Sequence, residues 1–225
     1  MKIFGHRGAA GLVAENTLES IAEALLYPID GIEIDVHLCK SGELVVIHDE
    51  TLDRTTNGKG NVSDYTIREL KKFSSEEGFK IPTLEEVLHL IDARCNLNIE
   101  LKGKNTAIPM VKLVEEYIHK THWEYNHFII SSFDHPQLFE IKETNSKFKI
   151  GVLTEENITA VLPVAKELDA FSIHPPITTL TNDEVTLAQE KGLRVYVWTV
   201  NTENLIKQSK KWNVDVVITD FPNFV

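Results

Sequence analysis

Glu33 and Asp35 stand two residues apart at the end of a short β-branched run, Glu100 and Lys102 close another, and His6-Arg7-Gly8 follows a third. Alternate residues of a strand point to one face, so Glu33 joins Asp35 and Glu100 joins Lys102. An unpaired carboxylate buried there is costly, and three that share one face need a counter-charge. One divalent cation supplies it for all three. Any one of these carboxylates alone would read as an ordinary salt-bridged strand end. The set of three, with no cysteine and no clear histidine triad, suits Mg²⁺ or Ca²⁺ better than Zn²⁺.

Most of the nine histidines read as structural, with His119, His122 and His135 assigned to surface helices. His6 and His48 differ, because the expected fold brings both beside the carboxylates, where imidazole can take or give a proton near neutral pH. Arg7 offers planar paired donors that match phosphate oxygens, and Lys102 adds a second cation. A metal, two cations and two imidazoles together make a site for phosphoryl chemistry.

The elements that would position these groups follow from the apolar periodicity. Strands are expected near 2–5, 31–37, 97–101, 128–132, 149–153, 170–173, 194–199 and 214–218. Helices are expected over 106–120, 135–144, 156–167, 182–191 and 202–211. Two more begin at Asn16-Thr17-Leu18-Glu19, with Asn16 as the N-cap, and at the capping box Thr83-Leu84-Glu85-Glu86. Eight strand–helix steps predict a (β/α)8 barrel, an α/β TIM-barrel fold whose functional groups gather at the C-terminal strand ends. An open doubly wound sheet is the structural competitor.

Leu44-Val45-Val46-Ile47-His48 follows the second strand after only four residues, too few for a parallel crossover. It is therefore expected to return antiparallel, with Ile47 and His48 opposite Asp35 and Ile34. Residues 51–80 read as a small insertion after the second strand, near the barrel mouth, with a short helix near 64–72 capped by Ser63 or Asp64. The expected organisation is one barrel domain over 1–225.

The formal charge of −11, from 34 acidic and 23 basic side chains, disfavours nucleic acid as a partner. A small phosphorylated substrate remains compatible. Cys39 and Cys95 are too few for a disulfide framework and read as reduced thiols. The first residues contain no apolar signal segment and no stretch approaches a membrane span, so the expected location is cytoplasmic. Oligomeric state is left open.

The ordered set His6-Arg7-Gly8, Glu15-Asn16-Thr17, Glu33-Ile34-Asp35-Val36, Val45 through His48-Asp49 to Leu52-Asp53-Arg54-Thr55-Thr56, Pro82-Thr83-Leu84, Glu100-Leu101-Lys102, Ser132-Phe133, Trp198-Thr199-Val200-Asn201 and Thr219-Asp220 resembles the glycerophosphodiester phosphodiesterase family. The match runs in family order along nearly the whole chain. It departs at Ala14, where the family often has proline before the Glu-Asn pair. The resemblance implies a barrel enzyme that hydrolyses glycerophosphodiesters to glycerol 3-phosphate and an alcohol with a divalent cation. It further implies that His6 and His48 are the acid–base pair, that Glu33, Asp35 and Glu100 are metal ligands, and that Arg7 and Lys102 contact phosphate. Trp198 would wall the glycerol pocket. Two alternatives are a phospholipase of the sphingomyelinase D type and a catalytically silent barrel that binds phosphodiesters.

Overall fold

The computed structural model describes residues 1–224. Its strands are β1 (Lys2–His6), β2 (Gly31–Leu38), β3 (Leu44–Val46), β4 (Asn96–Leu101), β5 (Phe128–Ser132), β6 (Lys149–Leu153), β7 (Ser172–His174), β8 (Arg194–Val197) and β9 (Val216–Thr219). All except β3 run parallel, and β1 pairs with both β2 and β9, which closes an eight-stranded barrel. The helices are α1 (Leu18–Ala24), α2 (Ile67–Leu70), α3 (Leu84–Ile91), α4 (Ala107–Lys120), α5 (His135–Thr144), α6 (Ile158–Glu167), α7 (Asn182–Glu190) and α8 (Glu203–Lys211). The fold is the α/β TIM barrel that the strand and helix spacing predicts.

The strands divide their side chains between two environments. Ile32, Ile34 and Val36 of β2, with Leu97, Ile99 and Leu101 of β4, join the helix residues Ile21, Val87, Leu88 and Ile91 in one buried cluster. Because these alternate positions turn outward to the helices, Glu33, Asp35 and Glu100 must turn into the barrel. Phe4, Ile129, Tyr196, Val216 and Ile218 form a separate apolar cluster within it.

The predicted hairpin is present. Val36 pairs with Val46, His37 with Val45 and Leu38 with Leu44. The backbone N–H of Ile47 then donates to the Asp35 carbonyl at 3.1 Å, as the expected register requires. The first half of β2, from Gly31, pairs with β1, and its last residues pair with β3 along the same edge. The hairpin therefore takes over where β1 ends, which carries His48 back toward His6.

Thr83 and Glu86 form the expected capping box, Thr83 Oγ1 accepting from Glu86 N and Glu86 Oε2 from Thr83 N. Three local expectations fail. Thr17, not Asn16, caps α1 and accepts from Ser20 N. Asn16 adopts φ 56°, which turns its side chain inward to the buried Asp35, while its neighbour serves as the cap. The helix expected over 64–72 is also shorter. Ser63 and Asp64 lie in a 3₁₀ turn (Val62–Asp64), Tyr65 is extended, and α2 starts only after Thr66, whose N–H and hydroxyl both donate to Glu69. His122 likewise falls just beyond α4.

Leu52, Val62, Leu70 and Ile81 gather around Val45 and Ile47 in a cluster of their own. Residues 51–80 thus pack against the outer side of the hairpin that presents His48. Both cysteines carry free thiols. No helix among the described residues is long and apolar enough to cross a membrane.

Candidate active site

The three strand-end carboxylates converge. Glu33, Asp35 and Glu100 each offer an oxygen, and these oxygens all lie within 4.8 Å of one another. All three residues are buried, at 3%, 1% and 8% exposure. Such crowding acts on their protonation. Burial, then repulsion from Asp35 and Glu100, raises the Glu33 carboxyl well above the usual carboxylate range. Burial and Asp35 push Glu100 up to about 7, against the pull of Lys102.

Cations border the cluster without neutralising it. Lys102 Nζ lies 3.0 Å from Glu100 Oε1. Arg7 Nε lies 3.3 Å from Asp35 Oδ2, and Arg7 donates through a terminal nitrogen to Glu15 Oε1 at 2.7 Å. Although burial opposes its charge, Asp35, Glu33 and Glu15 hold the Arg7 guanidinium above its ordinary pKa. The backbone N–H of Arg7 also donates to Glu33 Oε2 at 3.1 Å, a contact made with Arg7 at φ 50°. That left-handed conformation is costly for a non-glycine residue and recurs at Asn16, whose backbone N–H donates to the Arg7 carbonyl at 3.0 Å. Asn16 donates to Asp35 Oδ2 at 2.9 Å and accepts from Asp35 N at 3.3 Å.

Each imidazole is held by an aspartate. His6, the last residue of β1, places Nδ1 2.5 Å from Asp220 Oδ1, and His48 places Nδ1 2.6 Å from Asp49 Oδ1. A carboxylate accepts only, so each Nδ1 carries a proton and each Nε2 is the reactive nitrogen. His6 Nε2 lies 3.9 Å from Glu33 Oε2. Asp220 is anchored by Asn201, which donates through Nδ2 and accepts from Asp220 N at 2.9 Å. Burial would raise the Asp220 carboxyl, but its contact with His6 and the Asn201 bond leave it below its usual value.

On the other side, His37 Nε2 approaches the His48 carbonyl at 3.0 Å, fixing the end of the hairpin. Burial lowers the His48 pKa, with Arg7 and Lys102 adding to the effect against Asp35 and Asp49. Arg54 joins Asp49 to Glu15 through four hydrogen bonds of 2.7–2.9 Å. Burial would raise the Glu15 carboxyl, but its bonds to Arg54 and the charge and bond of Arg7 hold it down at about 2.

A hollow of about 190 Å³ opens over the cluster, lined among others by His6, Glu33, His48, Lys102 and Trp198. Trp198 donates through Nε1 to the His174 carbonyl at 2.9 Å, and its ring meets Phe133 edge-on at 6.1 Å between centroids. The expected site residues His6, Arg7, Glu33, Asp35, His48, Glu100, Lys102 and Trp198 therefore surround one place. Sequence reasoning assigns no function to Asp220, Asp49, Asn16, Glu15 or Arg54. The motifs contain all five, but their partners lie far along the chain or are fixed by side-chain direction, and spacing carries neither.

The chain matches the model of the Glycerophosphoryl diester phosphodiesterase family over residues 6–224. It is 38% identical to a glycerophosphodiester phosphodiesterase of Caldanaerobacter subterraneus subsp. tengcongensis, over 98% of this chain and 94% of that one. It is also 38% identical to a glycerophosphodiester phosphodiesterase of Bacillus altitudinis, over 99% and 95%. Among solved structures it is similar to an Oleispira antarctica phosphodiesterase in complex with the product sn-glycerol-3-phosphate. There the TM-score is 0.91 and the identity 28%, covering 100% of this chain and 94% of that one.

Proposed function

This chain belongs to the glycerophosphoryl diester phosphodiesterase family and is an enzyme of it, a phosphoric diester hydrolase; from that premise we propose a metal-dependent cleavage of glycerophosphodiesters to glycerol 3-phosphate and an alcohol. The observation that carries the reading is the convergence of three buried carboxylates beneath two imidazoles, each backed by an aspartate. The cofactor is Mg²⁺ or Ca²⁺, which take hard oxygen ligands. Glu33, Asp35 and Glu100 fit such an ion, since their oxygens lie close together and the buried Glu33 Oε1 has no hydrogen-bond partner. Glu15, Asp35, Asp49 and Asp220 alone outnumber Arg7, Arg54 and Lys102, so an anionic diester would otherwise meet excess negative charge. When bound, the cation would offset charge on the phosphate's non-bridging oxygens.

His6 Nε2 acts as the base that takes the proton of the nucleophile, either water or the glycerol 2-hydroxyl. The latter route passes through a cyclic phosphate. His48 Nε2 protonates the departing alcohol oxygen, and its lowered pKa makes its imidazolium the readier proton donor for that step. Asp220 and Asp49 keep the two rings in the required tautomer and stabilise each imidazolium when it forms. Arg7 and Lys102 contact the phosphate, and Trp198 walls the glycerol pocket with Phe133 beside it. Tests begin with glycerophosphocholine: chelator-treated enzyme should release glycerol 3-phosphate only after Mg²⁺ or Ca²⁺ is restored. Equal rates in chelator and in metal would rule out the cofactor.

A pH dependence of metal binding follows from the raised carboxyls. Glu100, pushed up to about 7, and Glu33, raised well above the usual carboxylate range, must lose protons to coordinate, so cation affinity should rise with pH through about 7, by up to about tenfold per pH unit for each proton released. The increase in unfolding midpoint on adding Mg²⁺ or Ca²⁺ should accordingly grow from about pH 5 to about pH 8. A metal-induced shift that is the same across this range would contradict the protonation state assigned to the cluster.

A further inference from the structure

A second hollow, of about 460 Å³, opens among the strand starts, at the end of the barrel opposite the carboxylate cluster. Lys2, Lys149 and Arg194, the first residues of β1, β6 and β8, line it with Phe171 and Tyr196. Three cations thus meet around one opening in a chain whose formal charge is −11. The one carboxylate lining the hollow, Asp215, is engaged by the fold. Its Oδ2 accepts from Val195 N at 2.9 Å and from Gln189 Nε2 at 3.1 Å, and its Oδ1 meets Arg194 only at 3.5 Å. Asp30, which borders the same end, accepts from Ile3 N at 2.9 Å.

The cations are held together without being neutralised. Lys149 Nζ lies 5.1 Å from the centre of the Phe171 ring and the Arg194 guanidinium 5.2 Å from the same centre. Lys149 donates to the Asn126 carbonyl at 2.6 Å, but among the described residues neither it nor Lys2 has a carboxylate in ion-pair range. Burial, then repulsion from Lys2 and Arg194, lowers the Lys149 pKa.

An independent feature points into the same hollow. Tyr196 is only 4% exposed, yet its hydroxyl makes no hydrogen bond among the described residues. A buried phenol ordinarily finds a partner. The ring is fixed, stacked on His174 at 4.8 Å between centroids and meeting Phe4 edge-on at 5.7 Å. Burial pushes its pKa up to about 12, and the charges acting on it, Arg194, Asp215 and Asp30, are those of the strand starts. The hydroxyl therefore remains a donor and faces the cations. A ligand with negative charge and several acceptor oxygens complements both.

We infer that the N-terminal end of the barrel holds a second ligand site, for the phosphoryl dianion of inorganic phosphate or of a phosphate monoester, bound by Lys2, Lys149, Arg194 and the Tyr196 hydroxyl. The phosphoryl oxygens accept from the three cations and from Tyr196 Oη, which offsets the repulsion and satisfies the buried donor. No bond is made or broken there. The stacked rings of Tyr196 and His174 separate this site from the hollow at the mouth, which His174 also lines.

The experiment titrates isotope-labelled, metal-free enzyme with inorganic phosphate and, separately, with glycerol 3-phosphate, following backbone amides by NMR. Saturable shifts are expected at Lys149, Phe171, Arg194 and Asp215. Lys149→Gln/Arg194→Gln should weaken this binding at least about fivefold. Tyr196→Phe, which keeps the ring and its stack on His174, should weaken it about three- to tenfold. Lys102→Gln, at the other end of the barrel, should leave it unchanged. Sodium chloride at matched ionic strength should not reproduce the shifts. Saturation by inorganic phosphate assigns the site to the bare phosphoryl group, and saturation by glycerol 3-phosphate alone assigns it to the monoester; either result supports the inference. Wild-type enzyme with no saturable shift at these amides for either ligand, or shifts that chloride reproduces, would overturn it. So would undiminished binding in Lys149→Gln/Arg194→Gln or in Tyr196→Phe with an unchanged unfolding midpoint.

Discussion

His6→Ala and His48→Ala are each expected to abolish turnover while leaving metal affinity nearly intact. Acid–base groups contribute about 10²–10⁴-fold, so each substitution should reduce kcat by at least about a hundredfold. Neither imidazole is among the carboxylate oxygens that cluster within 4.8 Å, which is why binding and turnover should separate. Calorimetric titration with Mg²⁺ or Ca²⁺ gives the first quantity and release of glycerol 3-phosphate the second. Activity within about tenfold of wild type for either variant would contradict its assignment. A milder loss is expected for Asp220→Asn and Asp49→Asn, because each aspartate acts through the ring it holds.

Glu100→Gln should have the opposite signature. It removes a ligand, so metal affinity and turnover should fall together, by more than about a hundredfold. The same change should stabilise the metal-free protein in alkaline conditions. A carboxyl whose pKa is raised on folding contributes fully below its unfolded value, and that contribution is lost as pH rises through the folded value. For Glu100 the window runs from the ordinary 4.5 to about 7. At about pH 8 the wild type holds a buried, mutually repelling carboxylate where the Glu100→Gln variant holds a neutral amide, a difference of about 1–3 kcal/mol. At about pH 5 the two proteins should differ little. Denaturant unfolding in chelator at both pH values measures this, and equal stability at about pH 8 would contradict the assigned repulsion.

Much of this site is legible in the sequence because strand alternation is strict. Once Ile32, Ile34 and Val36 are recognised as core, Glu33 and Asp35 can only face inward. The hairpin is equally determined, since a four-residue connection permits only an antiparallel return and the turn sets the register that carries His48 inward. What spacing does not convey is which polar side chain answers which. Asn16 satisfies the usual N-cap rule, yet a buried carboxylate nearby outranks the cap, and Thr17 can cap in its place. The Asp220 and Asn201 support of His6 closes the barrel between its first and last strands, over a separation of 214 residues for His6 and Asp220. The helix in the 51–80 segment starts later than expected because Thr66 and Glu69 form a stronger cap than Ser63 or Asp64.

The most direct test of the account is the phosphorus product itself. Phosphorus-31 NMR of glycerophosphocholine incubated with the metal-loaded enzyme should show the diester resonance replaced by glycerol 3-phosphate, with no phosphocholine, since the bond that breaks is the one on the His48 side. Phosphocholine as the product, or an unchanged diester with both Mg²⁺ and Ca²⁺, would contradict it.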